Sequence, residues 1–267
     1  MTPAINTTIS ERMVTPVRTA RITQRAAEVE RELSTLGISA LPIVDDAGKL
    51  VGVLSRTDLL RAGQVQGTSV DRDEPRRRAL TLPYVSAEQL MTPSVEVVPP
   101  YAPLSDAARQ MVEQQVHRLY VSEDDKPLGV ISTKEMMSAV IDAKLRTPLR
   151  EVMNAPVVTV DAADPLALAL ERMNLEHHSS VVVTDDGFPV GVLTQADALA
   201  ARDVPPDRPV EGWMDPRILC LPLEMPVFRA AQQALATRAR CILAVDDKGL
   251  CGIVTGMDFA CMLSAEG

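Results

Sequence analysis

The sequence predicts an α/β (α+β) protein built from four β-α-β-β-α repeats, and three observations carry that reading. A methionine-to-proline phrase occurs four times: Met13-Val14-Thr15-Pro16, Met91-Thr92-Pro93, Met153-Asn154-Ala155-Pro156 and Met214-Asp215-Pro216. A second phrase of Gly, two aliphatics, Ser or Thr, two variable residues and an acid also occurs four times, running Gly52 to Asp58, Gly129 to Glu135, Gly191 to Asp197 and Gly252 to Asp258. From phrase proline to phrase glycine the separations are 36, 36, 35 and 36 residues. Self-similarity at a fixed period marks a repeated supersecondary unit.

Each repeat fills that interval in the same order. After the phrase proline comes a β-branched run, Val95 to Val98, Val157 to Val160 or Ile218 to Leu221, which predicts a strand. In three repeats a proline then precedes an amphipathic stretch (Pro103-Leu104, Pro165-Leu166, Pro226-Val227), where proline favours a helix start. Leu104, Ala107, Ala108 and Met111 recur at helical spacing, which predicts about three turns of helix. A second strand follows, as in Leu41 to Val44, Leu119 to Val121, Ser180 to Val183 and Ile242 to Val245. An acidic turn such as Asp45-Asp46-Ala47-Gly48 or Asp185-Asp186-Gly187 closes it, and the glycine phrase returns as the hairpin partner. Its Ser or Thr opens a second helix. The repeats therefore occupy 8–64, 84–143, 146–203 and 206–265, and 65–83 is an inserted linker. The linker carries the mixed-charge run Asp71 to Arg78, whose basic triplet reads as a solvated face.

Composition narrows the function classes. The chain has 267 residues and a formal charge of −9, with 46% hydrophobic, 24% charged and 3% aromatic residues, which suits a globular chain with an aliphatic core. An acidic balance with few aromatics argues against a nucleic-acid polymer as partner. No run of eighteen apolar residues occurs, so no membrane span is expected. The N-terminus lacks the basic start and apolar stretch of a signal peptide, and the cytoplasm is the expected compartment. Cys220, Cys241, Cys251 and Cys261 form no C-x-x-C pair and sit among apolar neighbours, so reduced structural thiols are expected rather than metal ligands. Three histidines and the absence of G-x-S-x-G, H-E-x-x-H and phosphate-loop motifs argue against an enzyme, and no catalytic residue is assigned.

A unit of this size ending in Gly-h-h-Ser/Thr-x-x-Asp resembles the cystathionine-β-synthase domain, the CBS domain. The resemblance covers nearly the whole chain. It implies two pseudo-twofold Bateman modules, 8–143 and 146–265, which assemble into a disk within one chain or through a homodimer. It also implies adenosine-containing ligands: AMP, ADP or ATP first, with S-adenosylmethionine or cyclic dinucleotides as alternatives.

The resemblance suggests roles for individual residues. Asp58, Asp197 and Asp258 would accept hydrogen bonds from ribose hydroxyls, with Glu135 the departure from the pattern. Ser55, Ser132, Thr194 and Thr255 with their acids also satisfy a helix capping box, which needs no ligand. His117-Arg118 matches the family's phosphate-contacting pair at the start of the second strand, the alternative being a pair that shields the strand edge. His178 stands at the comparable place in repeat three, and Arg240 does so in repeat four with one gap assumed. Repeat one offers Ser39-Ala40, so Arg56 is the candidate there. Adjacent His177 and His178 would point to opposite faces of a strand, so no metal is assigned. Val17, Val95, Val157 and Ile218 would wall an adenine, or else pack ordinary core.

The expected function is a non-catalytic sensor with no required cofactor, an adenine nucleotide as regulatory ligand and a separate regulated protein. An oligomerising scaffold with degenerate clefts is the alternative. Because the candidate phosphate cations differ between repeats, occupancy is expected to be unequal and stronger in the module of repeats three and four.

Overall fold

In the computed structural model, which describes residues 7–66, 82–175, 180–201 and 204–265, the four repeats appear as four three-stranded sheets. Repeat one contains β1 (Ala20–Arg21), α1 (Ala26–Leu36), β2 (Ala40–Val44), β3 (Leu50–Ser55) and α2 (Arg56–Gln66). Repeat two contains α3 (Ala87–Leu90), β4 (Val97–Val98), α4 (Leu104–Gln114), β5 (Arg118–Glu123), β6 (Lys126–Ser132) and α5 (Thr133–Ala143). Repeat three follows with β7 (Thr159–Asp161), α6 (Leu166–Leu175), β8 (Ser180–Asp185), β9 (Phe188–Thr194) and α7 (Gln195–Ala200). Repeat four closes the chain with β10 (Cys220–Pro222), α8 (Val227–Thr237), β11 (Ile242–Asp246), β12 (Gly249–Val254) and α9 (Gly256–Ser264). Most of the linker, with Asp71 to Arg78, lies outside the described residues, as does His178.

The same sheet is made four times. In each repeat the first strand is parallel to the second, and the second is antiparallel to the third. The first helix spans the parallel crossover, which that topology requires. The first strands of repeats two, three and four begin two residues later than their β-branched runs, because those leading residues lie in the approach from the phrase. Pro103 and Pro226 stand at the N-caps of α4 and α8. Register slips by one residue in every hairpin, next to Gly52, Gly129, Gly191 or Gly252.

Those glycines are where the two phrases meet, and they meet between neighbouring repeats. A Cβ on Gly52 would collide with Met91, and one on Gly191 with Met214. At Gly129 the Met13 Sδ would be 2.8 Å away, and at Gly252 the Met153 Sδ 2.5 Å. Each phrase methionine therefore lies on the glycine strand of the other repeat of its pair, and the bare backbone makes room for it. Backbone bridges continue the exchange: Val14 with Val130, Thr92 with Val53, Asn154 with Ile253 and Asp215 with Val192. The turn ahead of each phrase also docks on the neighbour's first helix. Leu104 N donates to Thr7 O, Ala26 N to Val85 O, Val227 N to Thr147 O and Leu166 N to Arg208 O.

This exchange divides the chain into two compact units that cut across the sequence order. One unit comprises Met1–Val17, Glu96–Val157 and Ile218–Gly267, and the other Arg18–Val95 and Val158–Arg217. The first unit holds a continuous core in which α4 and α5 pack against α8 and α9. Alanines at the contact (Ala107, Ala108, Ala230, Ala231), all fully buried, let these helices approach closely, and Phe259 is the largest side chain fully enclosed. The second unit has one core under repeat one, joined by Ala198 and Leu199 of α7, and another under repeat three.

The cysteines correct one expectation. Cys241 is buried, but Cys220 and Cys261 are exposed, so only part of the set behaves as small buried hydrophobes. Among the described residues no helix is long and apolar enough to cross a membrane.

Candidate functional site

The four phrase acids sit in the first turn of the second helices, half-buried, and each is held by the Ser or Thr three residues before it. Asp58 Oδ2 accepts from Ser55 N at 2.8 Å and Ser55 Oγ at 2.6 Å. Glu135 Oε2 accepts from Ser132 N at 2.7 Å and its Oγ at 2.6 Å. Asp197 Oδ2 accepts from Thr194 N at 2.9 Å and its Oγ1 at 2.6 Å, and Asp258 Oδ2 from Thr255 N at 2.6 Å and its Oγ1 at 3.0 Å. The cap hydroxyl accepts in turn from a first-turn N–H, for example Lys134 N or Met257 N at 3.3 Å. The capping box is thus formed in all four repeats, and it uses one carboxylate oxygen of each acid.

The second oxygen has a different neighbour in each repeat. The exchange sets the residue after each phrase methionine opposite the other repeat's acid. Asn154 Nδ2 donates to Asp258 Oδ1 at 2.6 Å. Thr92 Oγ1 lies 3.5 Å from Asp58 Oδ1, at the limit of a hydrogen bond. Asp215, opposite Asp197, is clamped by Arg217 at 2.9 and 2.8 Å. Both Asp215 and Asp197 act to hold the Arg217 guanidinium protonated. Val14, in the same position opposite Glu135, offers no donor and is 52% exposed. Among the described residues, neither Glu135 Oε1 nor Asp197 Oδ1 has a hydrogen bond.

The structure sorts the expected phosphate contacts. Arg56 is withdrawn: its guanidinium is buried and donates to Leu33 O at 3.1 Å, capping the C-terminal end of α1. Arg240 occupies the His117 position without any gap, because Ile242 pairs with Val254 so that Arg240 precedes Thr255 by the same interval as His117 precedes Ser132. The repeat-three candidate, His178, lies outside the described residues.

His117 keeps an exposed edge, yet the protein around its ring and the adjacent Arg118 lower its pKa below the ordinary value, while Asp258 of repeat four acts to raise it. Its electrostatic partner is therefore an acid of a different repeat. Beside it, the Tyr120 hydroxyl is buried without a well-formed hydrogen bond among the described residues. Burial pushes its pKa up to about 12, with Arg118 within electrostatic reach.

Val17, Val95, Val157 and Ile218 are all half-buried. They follow phrases that bridge to the neighbouring repeat's glycine strand, so within their units Val95 follows the phrase paired with the strand before Asp58, Val157 the one before Asp258 and Val17 the one before Glu135. The sequence placed these apolar positions but not the acid each one accompanies. It also left Thr92, Asn154, Asp215 and Arg217 unassigned, although each stands inside or just after a phrase. The signal was their variation within a repeated phrase.

The profile of the CBS domain matches residues 9–64, 87–142, 149–203 and 210–263, so the chain belongs to the CBS-domain family. An uncharacterized 33.4 kDa protein in a ribosomal RNA operon of Thermofilum pendens is 26% identical over 192 residues, covering 67% of this chain and 58% of that protein. The 5'-AMP-activated protein kinase subunit gamma-3 of Bos taurus is 32% identical over 109 residues, covering 39% of this chain and 20% of the subunit. The crystal structure of protein MJ1225 from Methanocaldococcus jannaschii matches with a TM-score of 0.80 at 15% identity, covering 96% of this chain and 99% of that one. That likeness is one of fold.

Proposed function

We propose that this chain is a non-catalytic sensor that binds adenosine-containing nucleotides beside its phrase acids and transmits the bound state to a separate protein. The observation that carries it is the placement of the acids: one oxygen of each closes the helix cap, and the second faces the neighbouring repeat's phrase, carrying no hydrogen bond in Glu135 and Asp197 among the described residues and taken by Asn154 in Asp258. An ionised carboxylate fixed by two donors is a preorganised acceptor for ribose hydroxyls, and the half-buried valines that follow the phrases, Val17, Val95 and Val157, suit a base. The kinase γ-3 relative, whose name records activation by 5'-AMP, supports an adenine nucleotide as the first ligand to test.

In this reading each ligand touches two repeats at once: the acid of one and the phrase of its neighbour. Binding then favours the arrangement in which both are engaged, and it shifts that equilibrium only by its differential affinity. The test is thermal-shift and calorimetric titration of the full chain with AMP, ADP, ATP, S-adenosylmethionine and cyclic di-AMP. A saturable response that is reduced in Asp58→Asn and Asp197→Asn is expected. No response to any adenosine ligand would leave the scaffold reading in its place.

A further inference from the structure

Counting acceptor sites on the four acids separates one cleft from the rest. An ionised carboxylate has about four lone-pair sites, two on each oxygen. In every repeat the cap fills two of them, both on one oxygen. A ribose presenting its 2′- and 3′-hydroxyls needs the other two. Glu135 and Asp197 keep both, and Asp58 keeps both apart from the marginal 3.5 Å approach of Thr92. Asp258 keeps one, because Asn154 Nδ2 donates to its second oxygen at 2.6 Å. Only the NH₂ end of an amide can face a carboxylate oxygen at that distance, so the donor assignment follows from chemistry.

We infer that Asn154 is a specificity-determining residue, an internal competitor that lowers the preference of the Asp258 cleft for a vicinal diol. The inference rests on the nucleotide-binding reading above. The Asp258 cleft accepts one sugar hydroxyl without rearrangement, whereas the second must displace the amide. This cleft therefore binds a ribonucleotide less tightly than an unobstructed one and discriminates less between ribose and 2′-deoxyribose. Its position reverses an expectation from the cations alone: Asp258 has His117 within electrostatic reach, yet its carboxylate is the most occupied of the four. The backbone of Asn154 is bridged to Ile253 whatever its side chain, so the side chain can be changed without opening that pairing.

The experiment is calorimetric titration of the full chain with AMP and 2′-deoxy-AMP, comparing the parent with Asn154→Thr, which copies Thr92 at the corresponding position, and with Asn154→Ala. The expected result is an AMP affinity raised about 3- to 10-fold at one class of sites, roughly what one ordinary net hydrogen bond supplies, since the gained ribose bond is offset in part by the lost amide bond. The 2′-deoxy-AMP affinity changes less than about 2-fold, and the gain disappears when Asp258→Asn is added, as a double-mutant cycle requires of coupled groups. Melting curves of both variants check that the fold is retained. Unchanged or weakened AMP binding in both variants, or a gain that survives Asp258→Asn, overturns the inference while heats from the remaining clefts leave the nucleotide reading standing. Absence of AMP binding in parent and variants alike overturns both.

Discussion

Each phrase acid closes a helix cap with one oxygen and, in the proposed function, offers the other to a ribose, and substitution can separate the two roles. Asp58→Ala removes the acceptor for Ser55 N and Oγ and should cost about 1 kcal/mol of stability, read as a lowered Tm. Asp58→Asn keeps a carbonyl acceptor for the cap, so its Tm should stay closer to the parent while nucleotide binding falls as far as in the alanine variant. Equal binding losses with unequal melting shifts are the expected pattern, and intact binding in Asp58→Asn would count against the ribose role. His117 provides a pH handle. Its pKa lies below 6.5 because the surrounding protein and Arg118 disfavour the charged ring, with Asp258 opposing. The folded chain thus binds that proton less readily than the unfolded chain. The associated stability is present above pH 6.5 and is lost as pH falls through the folded pKa. A phosphate beside the ring would favour imidazolium, so nucleotide affinity should rise as pH falls below 6.5, with the His117 NMR titration moving up on binding. His117→Gln should abolish both effects.

Between elements, the decisive contacts are those where a side chain from one repeat fills space vacated by glycine in another. Gly256, at the start of α9, faces Thr133, at the start of α5. A Cβ there would collide with the Thr133 hydroxyl and stand 2.7 Å from its Cβ. Repeats one to three carry Arg56, Thr133 and Gln195 at this position, so nothing about the helix itself asks for glycine. Gly256→Ala should therefore destabilise by about 1–3 kcal/mol through overpacking. Thr133→Gly in the same chain should recover most of that loss beyond its own helix-propensity cost, as measured by denaturant unfolding of the two single variants and the double variant. Additive losses would mean that the helices do not press on each other there. The glycine phrases follow the same logic, since Gly129→Ala would meet both Met13 Sδ and Val14 O, the latter at 3.0 Å.

At the scale of the whole molecule, the cores are aliphatic and two buried acids stay protonated. Burial holds Tyr120 and Cys241 up to about 12, with Cys220 adding to the rise at Cys241. Because the folded values exceed the ordinary ones of 10.0 and 9.0, the stability they represent is complete below about pH 9 and declines as pH climbs toward 12. The Tm should fall over that window, and Tyr120→Phe combined with Cys241→Ala should flatten the decline. Phe259→Ala, which empties the largest enclosed site of the core that joins α4 and α5 to α8 and α9, should cost about 3–5 kcal/mol.

The sequence by itself determined the repeat count, the order of strands and helices within each repeat, the two hairpin phrases and the four capped acids. These are local properties, written in side-chain periodicity and in residues whose backbone or capping chemistry acts over three or four positions. It also placed the apolar residues after each phrase and the His117 position at the head of the second strand. Only the tertiary structure decided which repeat each phrase serves. Met91 lies on Gly52 rather than Gly129, and Asn154 reaches Asp258 rather than Asp197. A periodic sequence reads the same whether a phrase folds back on its own sheet or crosses to its neighbour's, because both placements satisfy the same pattern. The choice falls to chain path and packing. Arg56 illustrates the same limit: on the sequence it is a cation in the motif, and in the fold its guanidinium is drawn inward to Leu33 O at the C-terminal end of α1, which also accepts from Ile38 N.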